Sequence, residues 1–456
     1  MKRERLGSRL GFILLSAGCA IGIGNVWKFP WMVGKNGGAA FVLIYLFFLA
    51  IFGVPILTME FAVGRASQKS PVSMYQELEK KGTKWHIHGY VAFIGNYILM
   101  MFYTVVAGWM LQYFVMTAKG DFAGADASKV SSIFSDMTSD WKVMIIYVAI
   151  VVVIGFGACS LGLEKGIEKI TKVMMLALIG LILVLAINSI FLDGGKEGLK
   201  FYLMPSLDTM KEVGYVKVVS SAMNQAFFTL SLGMGSMAIF GSYIGKDRAL
   251  MGEAVTVSLL DTFVAFSAGL IIFPACSSFG VEVDAGPNLI FKTLPPVFNS
   301  LPMGRLWGTL FFLFMTFAAL STVLAVFENI VSCTMEKTGW SRKKTCFINA
   351  IVMFVLSLPC ILGFNVLSDF EPFGAGTNVM DLEDFIVSNL LLPIGALVFI
   401  LFCVNKRYGW GWDNFVNEAN HGKGLKIKNW MRGYITYVLP VIVLIVLTIG
   451  LVDYFS

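Results

Sequence analysis

The stretch GCAIGIGNVWKFP, residues 18–30, lies inside an apolar segment near the N-terminus and contains three glycines, an asparagine, a lysine and a proline. A continuous membrane helix has no need of such an interruption, and a soluble helix would be broken by it. Backbone groups freed at membrane depth must face protein or a cavity, because lipid offers them no hydrogen-bond partner. The stretch therefore predicts an unwound turn that lines a cavity within a membrane helix.

The composition of the whole chain indicates a membrane protein with many spans. Of its 456 residues, 57% are hydrophobic and 14% are charged, and the formal net charge is +6. A soluble chain of this length normally carries more charge. The histidines and cysteines show neither metal-site nor C-x-x-C spacing, so we expect no metal cluster and no disulfide framework. Without a nucleophile–base pair or a phosphate-binding loop, we expect neither an enzyme nor a nucleic-acid partner.

Apolar runs of about 20 residues, each sufficient to cross the hydrocarbon layer, predict an all-α polytopic membrane protein with eleven transmembrane helices. These spans 1 to 11 have the ranges 10–33, 38–63, 89–118, 141–160, 164–192, 216–243, 251–279, 304–335, 345–364, 384–405 and 431–454. Span 1 lacks a clear small-residue cleavage site, so we do not interpret it as a signal peptide.

Lysine and arginine indicate how the chain is oriented in the membrane. They concentrate before span 1 and after spans 2, 6, 8 and 10, which all lie on one side. Basic loops stay in the cytoplasm, so we expect a cytoplasmic N-terminus and an extracellular C-terminus. The brevity of both termini favours a bacterial plasma membrane.

Span 6 has an interruption that matches the one in span 1. Residues 229–235, TLSLGMG, break its apolar run at mid-depth, five spans after the first break. Discontinuous helices at matching positions of two halves are typical of an inverted repeat. We predict one transporter domain, residues 1–456, with repeat one at about 10–192, repeat two at about 216–405 and an extra helix at 431–454. Close helix packing through Gly18 and Gly22 is the alternative, but it does not explain the match between halves.

The two interruptions are suited to hold a small zwitterion together with a hard cation. Freed carbonyl oxygens coordinate cations, whereas half-helix N-termini present amide donors to anions. Asp261 is a further functional candidate, because a carboxylate within an apolar helix such as span 7 is costly. A hydrogen-bonded structural acid is the alternative interpretation of Asp261.

The sequence resembles the neurotransmitter:sodium symporter family, including its bacterial amino-acid transporters, over essentially the whole chain. Four motifs carry the resemblance: AIGIGNVWKFP, KNGGAAF, FFTLSLGMG and SLLDTFVAFSAGLIIFP. The family implies the leucine-transporter fold, an inverted five-plus-five repeat with discontinuous helices 1 and 6 in a lipid bilayer. It also implies symport of an amino acid with sodium by alternating access.

The resemblance implies two bound sodium ions. The first site would comprise Ala20, Asn25, Thr229 and Asp261. The second site would comprise Gly18, Ile21, Ala318, Ser321 and Thr322. The hydroxyls of the second site could equally bond to their own helix backbone. Many animal members have a neutral residue at the position of Asp261 and need chloride, so the carboxylate implies chloride-independent transport.

The resemblance also implies a pocket for an amino acid. Its expected wall comprises Ile21, Gly22, Gly24, Leu99, Tyr103, Phe228, Ser231, Met234 and Val326. Members that carry amines have an acid where Gly22 stands, so a substrate with its own carboxylate is favoured. Tyr103 resembles the tyrosine that bonds this carboxylate, with an ordinary buried tyrosine as the alternative. Met234 matches a broader-specificity bacterial form, and its pliable thioether favours hydrophobic and aromatic side chains.

Gates on both sides of the pocket follow from the same family pattern. They pair Lys28 with Asp384 outside, above a lid formed by Phe228 and Tyr103. Inside, they pair Arg3 with Glu336 near Tyr243. Glu60 and Glu328 are further intramembrane acids whose roles stay open. The chain departs from the family in span 5, where Leu176 replaces a helix-weakening proline. Inward opening is then slower, or sodium leaves by another route.

Two other functions share these features. An ion channel also uses unwound segments, although a single inverted pair indicates a transporter. An amino-acid-binding membrane sensor of the same fold would bind without transporting, and Leu176 leaves this alternative open. The sequence does not determine the preferred amino acid, the sodium stoichiometry, proton counter-transport or the oligomeric state.

Overall fold

A computed structural model gives the structure of residues 4–281, 283 and 287–455, and all regular elements in these ranges are helices. Nine helices of this described part are long and apolar enough to cross a membrane, and the bent pair Arg9–Ala20 with Ile23–Lys35 makes ten. Predicted span 6 is divided into Tyr215–Thr229 and Ser236–Gly241, each shorter than a full span. The all-α membrane class is confirmed, whereas the count of eleven spans stays a prediction.

The helices follow the predicted order along the chain. In the first half they are Arg9–Ala20, Ile23–Val26, Lys28–Lys35, Ala39–Phe48, Val54–Ser67, Pro71–Leu78, His86–Lys119, Ala127–Ser139, Trp141–Ser160, Lys169–Ile190, Lys196–Leu203 and Leu207–Val213. In the second half they are Tyr215–Thr229, Ser236–Gly241, Leu250–Ser278, Leu294–Asn299, Gly304–Thr338, Arg342–Leu362, Val379–Phe385, Leu392–Val404, Trp412–Ala419, Met431–Gly433 and Leu439–Phe455. Five π-helical segments join or extend these helices: Leu49–Gly53, Leu163–Glu168, Leu289–Thr293, Ile386–Leu391 and Tyr434–Val438.

Span 10 begins earlier than predicted, at Val379 rather than at residue 384. The cause is local, because Asn378 caps this helix. Its side chain accepts a hydrogen bond from the Met380 N–H at 2.8 Å, and the Asp381 carboxylate accepts one from the Asn378 N–H at 2.8 Å. Reciprocal bonds of this kind satisfy the free amides of a first helical turn. They add a turn that lines the functional site described below.

Span 8, Gly304–Thr338, is the central helix of the bundle. In its most apolar stretch of 18 residues, 83% are buried, compared with 22% in the corresponding stretch of Met431–Val452, which is span 11. It packs against spans 1, 3, 4 and 5. Apart from Arg432 near its start and Thr448, the side chains that span 11 exposes are apolar, as expected for a helix that faces lipid. Span 8 is therefore the innermost of these helices, and span 11 lies at the edge of the bundle.

Both interrupted spans are unwound where the sequence predicts. Span 1 bends by 67° between Arg9–Ala20 and Ile23–Lys35, and Ile21 and Gly22 between them have extended backbone. In span 6 the chain leaves the helix after Thr229, and Ser231 and Gly233 have φ angles of 50° and 98°. A Cβ atom on Gly233 would lie 2.7 Å from the Ala396 nitrogen, so this turn requires glycine.

Candidate functional site

Asp261 joins the two unwound segments. Its side chain is fully buried. The Asn25 amide donates to Asp261 Oδ1 at 2.8 Å, and the Thr229 hydroxyl donates to Asp261 Oδ2 at 2.8 Å. Asn25 also accepts from the Gly22 N–H at 3.1 Å, so it caps the outer half-helix of span 1. The structure thereby brings together three side chains predicted for the first sodium site, beside the Ala20 turn.

A second group of oxygen atoms lies where span 1 meets span 8. The Thr322 hydroxyl is 3.1 Å from the Gly18 carbonyl oxygen and 3.3 Å from that of Ile21. The Ser321 hydroxyl donates to the Ala318 carbonyl at 2.9 Å, within its own helix. All five residues predicted for the second sodium site are thus gathered around buried carbonyl and hydroxyl oxygens. Hard cations prefer such oxygen ligands.

The break in span 6 is held by polar side chains from spans 2 and 3. Glu60 accepts a hydrogen bond from the Gly233 N–H at 2.5 Å. Asn96 donates to the Met234 carbonyl at 3.1 Å and accepts from the Ser236 hydroxyl at 3.0 Å. These bonds satisfy backbone groups that the interrupted helix leaves free. Glu60 and Asn96 thus stabilise the break of span 6. Asn96 was not among the predicted site residues, because its only signal in the sequence is an amide within an apolar span.

A cavity of about 310 Å³ lies between the two unwound segments. The residues on its wall that the sequence predicted as site or gate residues are Ala20, Gly22, Gly24, Asn25, Lys28, Leu99, Tyr103, Phe228, Thr229, Ser231, Thr322 and Asp384. Met234 and Val326 are buried and do not belong to this wall, and Ile21 contributes its carbonyl to the neighbouring oxygen cluster. Met234 instead packs on span 3, since a Cβ on Gly95 would lie 2.9 Å from its sulfur atom.

The wall also contains residues that were not predicted as site or gate residues. They are Cys19, Ile23, Trp27, Trp31, Phe102, Val106, Pro287, Met380, Asp381, Val387 and Leu392. Phe102 and Val106 had a usable signal, because with Leu99 and Tyr103 they have the spacing of one helix face. Met380 and Asp381 had none, since the extra turn that begins at Val379 was not predicted.

Tyr103 closes one corner of the cavity against the break in span 1. Its hydroxyl accepts a hydrogen bond from the Ile23 N–H at 3.2 Å. A Cβ on Gly22 would lie 2.7 Å from this hydroxyl and 3.3 Å from Thr322 Oγ1. The corner thus combines a helix N-terminus, a hydroxyl and a position with no room for a side chain. These are the features of a site for a small anionic group.

The predicted outer gate has a different geometry from a salt bridge. The Lys28 ammonium lies 3.5 Å from the centre of the Phe228 ring, a cation–π contact. Asp384 accepts a hydrogen bond from the Ser388 hydroxyl at 2.7 Å. Both Lys28 and Asp384 belong to the cavity wall. The lysine therefore contacts the aromatic ring predicted to form the lid.

On the opposite side of the cavity, Glu328 is the centre of a buried polar cluster. Tyr243 donates to it at 2.7 Å, and the Arg342 guanidinium donates to its two oxygens at 2.7 and 3.1 Å. Arg342 also contacts Glu4 at 3.3 Å. In the sequence, Arg342 is one of the basic residues that follow span 8, and no local pattern links it to Glu328, 14 residues earlier.

Two remaining predictions concern the inner gate, Arg3 with Glu336, and Leu176 in span 5. Arg3 lies outside the described residues, and Glu336, its predicted partner, accepts from the Ser70 N–H at 2.8 Å. Span 5 is a continuous α-helix over Lys169–Ile190, preceded by the π-helical segment Leu163–Glu168. Leu176 lies within the continuous helix with 57% of its side chain exposed.

Comparisons with known proteins place these features in a wider group. The model of the sodium:neurotransmitter symporter family matches residues 3–132 and 121–456. YhdH, an uncharacterized sodium-dependent transporter of Bacillus subtilis, is 35% identical over 405 residues, which cover 88% of this chain and 87% of the relative. A sodium- and chloride-dependent taurine transporter of Canis lupus familiaris is 22% identical, over 99% of this chain and 79% of that transporter's length.

A solved structure also matches the fold. The crystal structure of MhsT in complex with L-phenylalanine superposes with a TM-score of 0.86 and 36% identity, over 98% of this chain and 99% of that chain. This match confirms the predicted fold class.

Proposed function

The chain belongs to the sodium:neurotransmitter symporter family and is a sodium-dependent membrane transporter rather than an enzyme, and we propose that it takes up hydrophobic and aromatic L-amino acids independently of chloride. Two sodium ions would move with each amino acid, through alternating exposure of the central cavity. The observation that carries this proposal is the cavity between the two unwound segments.

The lining of the cavity supports an amino acid with an apolar side chain. The Tyr103 hydroxyl, the Thr322 hydroxyl and the span 1 break form a polar corner of the wall, where a carboxylate would bind, and Lys28 and Asp384 lie at the open side. The rest of the wall is mainly apolar and aromatic, with Phe102, Val106 and Phe228 among its residues. A zwitterion with a hydrophobic side chain matches this division. MhsT, which is similar over nearly the whole chain, was crystallised with L-phenylalanine.

The arrangement around Asp261 supports chloride-independent coupling. Asp261 supplies a carboxyl group at the proposed first sodium site, where Asn25 and Thr229 already contact it. A carboxylate in this place balances the charge of a cation without a mobile anion. The taurine relative, by its name, depends on both sodium and chloride. The second sodium ion would bind the oxygen cluster around Thr322.

The two sides of the cavity differ in a way that supports alternating access. On one side the wall extends to Lys28, Trp31 and Asp384. On the other side, hydrogen bonds join Tyr243, Glu328 and Arg342 into a closed cluster. We propose that the closed side is cytoplasmic, with the N-terminus, that the C-terminus is extracellular, and that the membrane is the plasma membrane of a bacterium.

Uptake into proteoliposomes tests this function. Labelled phenylalanine, tryptophan and leucine would be supplied with inward gradients of sodium, potassium or protons, with chloride present or replaced by gluconate. We expect concentrative uptake with sodium alone, unchanged when chloride is replaced. The variant Asp261→Asn keeps the shape of the side chain and removes its charge, so sodium-driven uptake should fall strongly.

The same assay separates the alternatives. Sodium-dependent binding without accumulation would indicate a sensor of the same fold and would contradict symport. Entry of the labelled amino acid that never raises its internal concentration above the external one would indicate a channel. Uptake that requires chloride in the unaltered protein would refute the role proposed for Asp261.

A further inference from the structure

Four cationic side chains lie together where the chain enters its last span. We call Lys423, Lys426, Lys428 and Arg432 the basic collar; all four are exposed. None of them takes part in a side-chain hydrogen bond or ion pair with any residue that the structure describes. Residues 419–452 contain no aspartate or glutamate, and nearby Glu418 is engaged by Arg65 and Lys246 at 2.7 and 3.1 Å. Within the described chain, no acidic side chain therefore forms an ion pair with the collar, although the exposed Asp247 lies next to Lys423 in the fold.

Apolar side chains alternate with these charges at the edge of the membrane. Leu425 is 49% exposed and Trp430 is 72% exposed. Trp430 immediately precedes Met431–Val452, which is long and apolar enough to cross the bilayer. Tryptophan at such a position usually lies at the level of the lipid headgroups. The collar is thus placed at headgroup depth rather than in open solvent.

The backbone that carries the collar is held firmly. The Asn420 side chain donates to the Ile427 carbonyl at 2.9 Å and accepts from the Ile427 N–H at 2.7 Å. The Lys423 N–H donates to the Asp247 carbonyl at 2.9 Å, and its carbonyl accepts from the Ala249 N–H at 3.0 Å. Since the backbone is already ordered by these bonds, binding would mainly order the lysine side chains.

We propose that the basic collar binds anionic phospholipid headgroups of the leaflet next to it. Lysine clusters directly beside a membrane span attract anionic lipids, and the interleaved Leu425 and Trp430 add apolar contact with the same leaflet. The phosphates come from lipids rather than from solution, because the charges surround a tryptophan at the membrane boundary. The proposal depends on membrane insertion alone and not on the substrate or on sodium coupling.

Quenching of Trp430 by brominated lipids tests the proposal. The full-length protein would be placed, one copy per nanodisc, with an equal small fraction of brominated phosphatidylglycerol or brominated phosphatidylcholine. The difference between the unaltered protein and Trp430→Phe isolates the signal of Trp430 from the other tryptophans. We expect stronger quenching by the anionic lipid, and its preference should fall at least about ten-fold in the variant Lys423→Gln/Lys426→Gln/Lys428→Gln.

A matched variant controls for net charge. Lys81→Gln/Lys84→Gln/Lys343→Gln removes the same charge from exposed lysines on the same predicted side, and it should leave the preference unchanged. Equal quenching by the two brominated lipids, or an equal loss in the control variant, would overturn the proposal. An anionic preference that appears only with two copies per disc would assign the surface to a second copy of the chain, which also overturns it.

Discussion

Gly22→Ala tests whether the corner beside Tyr103 holds the substrate carboxylate. The added methyl group would lie 2.7 Å from the Tyr103 hydroxyl, whereas ordinary contact begins at 3.4 Å. The hydroxyl must therefore retreat by roughly 0.7 Å, since backbone of a buried turn yields less readily than a side-chain end. It already lies 3.2 Å from the Ile23 nitrogen, so such a retreat breaks this hydrogen bond and displaces the hydroxyl from the corner.

The expected loss follows from the bond that the hydroxyl would make to the substrate. A hydrogen bond to a charged group contributes about 1.5–3 kcal/mol, which corresponds to roughly 10- to 150-fold in affinity. We therefore expect the Kd of the amino acid, measured by equilibrium binding of labelled substrate at saturating sodium, to rise by about 10- to 100-fold. Gly180→Ala, where an added methyl meets nothing within 4 Å, should leave the Kd unchanged.

A double-mutant cycle with Tyr103→Phe isolates the mechanism. Without the hydroxyl, the methyl group of Gly22→Ala has only Thr322 Oγ1 at 3.3 Å to displace. The double variant should then bind about as weakly as Tyr103→Phe alone, with a coupling energy of about 1.5–3 kcal/mol. Strictly additive losses would refute the argument, because they would mean that the two residues act on the substrate independently.

Three further predictions concern the turn of span 6, the buried cluster around Glu328 and the outer gate. Gly233→Ala forces a methyl group into a turn with φ 98°, 2.7 Å from the Ala396 nitrogen. Thermal unfolding in detergent should therefore show a free energy of unfolding lower by at least about 3 kcal/mol, and uptake should disappear. An unchanged melting temperature would contradict this prediction. Arg342→Gln leaves the buried Glu328 carboxylate without its cation and should lower the free energy of unfolding by about 3–5 kcal/mol. The double variant Arg342→Gln/Glu328→Gln should recover part of this loss. Equal stability of the single and double variants would contradict the pairing. Lys28→Met removes the cation that lies 3.5 Å from the centre of the Phe228 ring, and it should raise the KM of uptake about three-fold to thirty-fold. Lys28→Arg keeps the charge, so its KM should stay near the original value. The same KM in both variants would show that the cation–π contact does not affect uptake.

Several tertiary contacts of the site could not be predicted from the sequence because periodicity gives a residue's depth and face but not its neighbour. Asn96 pins the break of span 6 from span 3, at a separation of 138 residues along the chain. Met234 was expected on the cavity wall, yet it packs on span 3, because the turn after Ser231 rotates it away. In the sequence Arg342 is one more basic residue after span 8, and only the fold places it beside Glu328.

The sequence by itself determined where the two helices break and which residue types surround the breaks. Glycines and polar residues within apolar runs disturb a helix through local backbone energetics, and these act wherever the chain folds. Only the tertiary structure decided that both breaks meet Asp261, and that Gly22 leaves no room beneath Tyr103. Such contacts join residues far apart in the chain, and they depend on how whole helices rotate and tilt to fill one another's grooves.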